Sequence, residues 1–241
     1  MGDNMLPFRP ARGGYRASVD ATERQLFAGL ARDVATLLGY NLDEEMQESG
    51  ADVTGPGAAH APGARGNGAP GARGNSAHGV EESSDVLASY ERELADLETT
   101  RCYTPACNMD TALARLLPDM SEEPELADEL RALTESAVCH TKICNLLVFY
   151  TSLASEAVWV SNEDAGAWLA GANDIRIVLG ARRDITTAAE SEAVTSRALD
   201  IMESERPQID TTDDMIGVLY VIIAWWQDSL ITAIQNKDLR R

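Results

Sequence analysis

The sequence predicts a mainly α fold, a helical bundle with at most a small two-stranded β-ribbon. Three observations lead there. Apolar residues recur at helical spacing through most of the chain, and only two short stretches alternate polar and apolar residues as strands do. Those two are not interleaved with the helices in the way a parallel sheet requires.

Residues 1–47 are expected to supply an N-terminal strand and helix. YRASV, residues 15–19, alternates and predicts the strand. Asp20 with Glu23 three positions on is a helix cap with its reciprocal partner, and Leu26, Leu30, Val34, Leu37 and Leu38 then follow at helical spacing, so a helix is expected from Thr22 to Leu38. Residues 48–80 change character: PGARGN occurs twice among Gly, Pro and Ala, and almost no large apolar side chain is present to offset the entropy of ordering. The glycines keep no period of three, which excludes a collagen helix. A disordered insertion is predicted, with 81–241 completing the same helical domain.

A helix should start at Ser84, with Val86, Leu87, Tyr90, Leu94 and Leu97 on one side, and end before TTRCYTPAC, where Pro105 enforces a turn. MDTALARLL predicts a short helix stopped by Pro118. Pro124 suits a first helical turn, and no breaker follows until Leu153, so the longest helix is expected there. AVWVS, residues 157–161, is the second predicted strand. Ser161 is expected to cap a helix whose face carries Trp168, Leu169, Ala172, Ile175 and Leu179, and Gly180 to close it. Residues 181–208 are polar with weak periodicity, which predicts a loop or frayed helix. The last segment opens with Thr and two Asp and stays apolar nearly all round from Met215 to Trp226, as a central bundle helix would. That run is about a dozen residues, against the roughly 18 to 20 that span a bilayer, so a membrane helix is not expected.

The 39 acidic and 20 basic residues give a formal charge of −19, which disfavours direct nucleic-acid binding because phosphate contacts need Lys and Arg. The opening MGDNMLPFRPARGGY lacks the basic and apolar pattern of a secretion signal, so the chain is expected in the cytoplasm with its four cysteines reduced. No phosphate loop, dinucleotide fingerprint, nucleophile elbow or pair of histidines at metal spacing occurs. No enzyme activity, cofactor or metal is expected.

The cysteines form two pairs of equal spacing, Cys102 with Cys107 and Cys139 with Cys144, and all four are redox candidates. Four thiolates could close a zinc site, but zinc pairs normally sit on turns and the second pair here reads as helical. Positions five apart on a helix lie about 7.5 Å apart along the axis and about 140° apart around it, too far for a bridge of about 4.4–6.8 Å between Cα atoms. Core packing is therefore the default for Cys139 and Cys144, and a local disulfide is feasible only at CYTPAC. Polar residues also interrupt apolar faces: Lys142 and Asn145 in one helix, Asn173, Asp174 and Arg176 in the next. A bridge from Lys142 to Asp174 would make them a structural network. Trp225 and Trp226 read as core plus a partner-facing edge, and homo-oligomer contact is the alternative.

Several stretches carry a family resemblance: LPFRPARGGY, TALARLLPD, KICN, AWLAGANDIRIVLG and IIAWWQDSLITAI. Together they resemble the actinobacterial AosR-like family, named for a transcriptional regulator of oxidative stress, most of whose members are uncharacterised. The resemblance implies a cytoplasmic, mainly helical protein connected with transcriptional control under oxidative stress, and the charge of −19 adds the expectation that it acts through a protein partner in the transcription machinery. It implies as alternative an adaptor linked to the Clp protease.

Overall fold

The computed structural model describes residues 5–50, 110–204 and 209–239. The chain divides into Met1–Glu48 with Thr104–Arg241, which holds nearly all of these, and Ser49–Tyr103. Almost the whole predicted 48–80 insertion, the helix expected from Ser84, and Cys102 and Cys107 lie outside the described residues.

The architecture is mainly helical, with seven helices and a three-stranded antiparallel sheet among the described residues. The sheet is larger than the expected ribbon because Leu6–Ala11 forms a strand, β1, ahead of β2 (Gly14–Ser18). Pro7 and Pro10 hide β1 from a propensity reading. They are tolerated because β1 lies at the sheet edge, where a missing N–H breaks no central ladder. Ala11 pairs with Gly14 across a two-residue turn, and Gly13 at φ 84° supplies the left-handed step. β2 then pairs with β3 (Ala157–Ser161), Tyr15 opposite Val160.

Helix α1 (Ala21–Leu37) has the expected box: Asp20 Oδ1 accepts from Glu23 N at 2.8 Å, and Glu23 Oε2 accepts from Asp20 N at 3.0 Å. A short acidic helix, α2 (Leu42–Gly50), follows with Asn41 Oδ1 accepting from Asp43 N. It was not expected, because only its buried Leu42 marks a core face. α3 (Thr111–Leu116) stops ahead of Pro118, and α4 (Pro124–Ser152) is the longest described helix at 29 residues.

α5 (Ala165–Arg182) departs from expectation at both ends. Its N-cap is Asp164 rather than Ser161, whose hydroxyl instead accepts from Asp164 N at 3.0 Å. Gly180 does not close it. That residue packs inside the last turns, and the chain leaves helix through Asp184 at φ 51°. The polar stretch beyond, expected as a loop or frayed helix, contains a 16-residue helix, α6 (Ala188–Glu203), held by a capping box of Thr187 and Glu190. Its core face is only Ala198 and Ile201, too small to show as periodicity.

α7 (Thr212–Asp238) starts at the Thr211 cap. It buries Val218, Leu219, Ile223, Trp226, Leu230 and Ala233, while Met215, Trp225 and Ile231 are exposed, so the central helix keeps one wet side. By length and composition it could cross a membrane, with mean hydropathy 1.4, and 33% of that window is buried in this fold. Trp226 stands at the middle of the core, stacked on Phe8 and Phe27 at 5.3 Å and edge-on to Trp168 at 5.2 Å.

Candidate functional site

Most of the candidate chemistry rides on α4, and helical geometry decides where each group goes. Cys139 is 1% exposed and joins the core with Ile143 and Leu146. Cys144, about 140° further round, is exposed, with its Sγ 3.6 Å from His140 Nε2. No disulfide joins the two thiols.

Lys142 points toward α5. Its Nζ donates to Asp174 Oδ1 at 2.7 Å, and the carboxyl is only 4% exposed. Burial pushes the Asp174 pKa up, and the Lys142 hydrogen bond and charge pull against that rise. The helices approach closely beside this pair. A Cβ at Gly171 would stand 2.7 Å from the Asn145 carbonyl oxygen, so only glycine fits there. Arg176 Nη2 donates to Asn173 Oδ1 at 3.3 Å within a single turn of α5. Of the five polar candidates, then, Lys142 and Asp174 meet, Asn145 contributes its backbone to the crossing, and Asn173 and Arg176 form a separate pair.

Sequence reasoning passed over Arg131, which reads as an ordinary surface arginine in DELRALTES. Its guanidinium is 7% exposed, bound to Asp119 Oδ1 and the Leu117 carbonyl and 3.7 Å from Glu135 Oε2. It lines a cavity of about 170 Å³ with Met120, Thr134 and Val138. The i, i+4 spacing of Arg131 and Glu135 was the one available signal. At the other end of α4, the Tyr150 hydroxyl donates to Asp43 Oδ1 and accepts from Arg32 Nη2, both at 2.7 Å, tying α2 to α1 and α4. Desolvation by burial raises the Tyr150 pKa most, so the phenol stays protonated in that role. A larger groove of about 650 Å³ is lined by Leu30, Val34, Ile175, Val178, Arg182 and Ile216.

The chemical features of these residues are a surface thiol beside an imidazole, a buried guanidinium held by carboxylates, and apolar clefts. Among the described residues, no group of three or more His, Cys, Asp or Glu side chains is placed to hold a metal ion. No curated protein and no solved structure matches the chain. The family model described as "Domain of unknown function (DUF2017)" matches residues 5–234, nearly the whole chain, and the protein therefore belongs to the DUF2017 family.

Proposed function

We propose that this chain is a cytoplasmic regulator of transcription under oxidative stress that acts by binding a protein partner and is modulated by its thiols. The observation that carries this reading is the formal charge of −19, which attracts a basic protein surface and repels nucleic-acid phosphates. Trp159 and Trp225, each more than 40% exposed, add the kind of aromatic anchor that partner surfaces use. The AosR-like resemblance supplies the regulatory and stress context.

The thiol step is assigned to Cys102 and Cys107, whose spacing around Pro105 in the sequence permits a local bridge. Oxidation by a peroxide would remove two electrons and two protons from the pair, forming one S–S bond and reducing the peroxide oxygens to water. Cys139 is a core residue, and Cys144 is the accessible thiol of the second pair.

Affinity capture with the full chain from oxidised and reduced lysates, with the bound proteins identified, tests the proposal. RNA polymerase or a sigma factor, recovered in an amount that depends on oxidation, supports it. Recovery of Clp components in both states would replace it with the adaptor reading. Non-reducing peptide mapping after mild peroxide sinks the thiol step if Cys102 and Cys107 remain thiols.

A further inference from the structure

The outward face of the sheet inverts the charge of the rest of the chain. Alternation along the strands sends Phe8, Tyr15, Val158 and Val160 into the core and leaves Arg9, Arg16 and Trp159 exposed. Arg16 is the register partner of both Arg9 on β1 and Trp159 on β3, so the three form one row across the strands. Arg12 adds a third guanidinium in the exposed turn between β1 and β2. Residues 5–19 hold no Asp or Glu, although acids outnumber bases 39 to 20 in the chain. Among the described residues no carboxylate bridges any of these arginines. Like charges directly opposite one another destabilise a pair of strands, so the fold carries a cost at Arg9 and Arg16 that an anion would relieve. Beside them, a Cβ at Gly14 would meet Trp159 Cζ2 at 2.8 Å. The indole therefore lies against the bare backbone of β2, with 42% of the residue still exposed.

We propose that this face docks an acidic segment of a protein partner, with carboxylates on Arg9, Arg12 and Arg16 and an apolar side chain on Trp159. Guanidinium groups bind carboxylates through paired hydrogen bonds, and Trp and Arg are the residues that most often anchor an interface. The footprint selects a peptide over a nucleic-acid strand. Neighbouring strands lie about 4.8 Å apart, which makes the row about 10 Å wide. Exposed Glu156 and Glu163 stand just beyond the two ends of β3. A strand with a phosphate at every nucleotide would run onto those acids and into the field of a chain bearing −19. A peptide can place neutral residues there instead.

The site goes beyond the regulatory reading, which calls on the acidic remainder of the surface, and does not rest on it. Fluorescence anisotropy of the full, reduced chain with a labelled glutamate-rich peptide carrying a central Leu-Phe pair tests it. The peptide should bind at low salt and weaken as salt screens the arginines, and its glutamine counterpart should not bind. Arg9→Gln combined with Arg16→Gln should lower the affinity at least about tenfold without lowering the thermal midpoint, since it removes a repulsion. Arg197→Gln, whose partner Asp214 lies in the first turn of α7, should leave binding unchanged, because the sheet meets that helix near its other end through Ser229 and Lys237. No binding at low salt overturns the proposal, as does binding that the double variant leaves undiminished or a fall in its midpoint. A short oligouridylate that binds more tightly than the peptide would also overturn it, by assigning the face to nucleic acid.

Discussion

The two faces of α4 near its middle carry residues from the same six-residue stretch, CHTKIC, and treat them in opposite ways. Inward, Cys139 is sealed in the core, and Lys142 reaches across to a carboxyl that has lost its water. Outward, His140 and Cys144 stand in solvent on a strip almost without charge. The comparison teaches that spacing within a motif is not proximity. Two residues along the helix, from Lys142 to Cys144, separate a structural ion pair from an exposed thiol, and substitutions on the two sides should differ in kind.

The largest effect is expected at the inner pair. Lys142→Met leaves Asp174 buried without its partner and should cost about 3–5 kcal/mol in denaturant unfolding, while the double change to Met and Leu recovers most of the loss. If the single change costs little, the pair is not the inner anchor. The pH dependence has a definite sign. Asp174 has its pKa raised by burial, so its contribution favours the fold most below the ordinary carboxylate value of 3.8 and diminishes as pH rises through the raised one. Removing Lys142 exaggerates that rise, and the deficit of Lys142→Met should shrink as the solution is made acid.

The next effect lies at the crossing beside it. Gly171→Ala forces a methyl group against the Asn145 carbonyl and should destabilise by about 1–3 kcal/mol, read as a lower thermal midpoint. Thr187→Ala, which removes the α6 cap far from either face, should cost about 1 kcal/mol. The Glu190 carboxyl of that box is held down to about 2, first by the Thr186 backbone N–H, so its support is present above its ordinary value of 4.5 and is lost as pH falls toward 2. On the outer face, Cys144→Ser should change stability by no more than about 0.5 kcal/mol, sharpening the contrast with Lys142.

Much of this was legible in the sequence, for identifiable reasons. The Asp20–Glu23 box and the long run from Pro124 announced α1 and α4, because caps and breakers act locally. The helical separation of Cys139 and Cys144 followed from pitch alone. A bridge from Lys142 to Asp174 could be anticipated because a buried charge needs a partner. What escaped depended on context that no local window carries. β1 needed the knowledge that it lies at a sheet edge, where Pro7 and Pro10 do no harm. Gly180 resembled a helix terminator, yet the helix runs on past it to Arg182. Arg131 looked solvated until Asp119 arrived from the turn before α4 and Glu135 from the turn after it.

The separation of the two faces is tested most directly by pulsed alkylation of the native, dilute, reduced chain, with modification of each cysteine peptide followed by mass spectrometry. Cys144 should label at the rate of an open thiol, whereas Cys139 should label only at the much slower rate of global unfolding and speed up with added denaturant. Equal rates at the two cysteines, or faster labelling at Cys139, would contradict the assignment of one thiol to the core and the other to the surface.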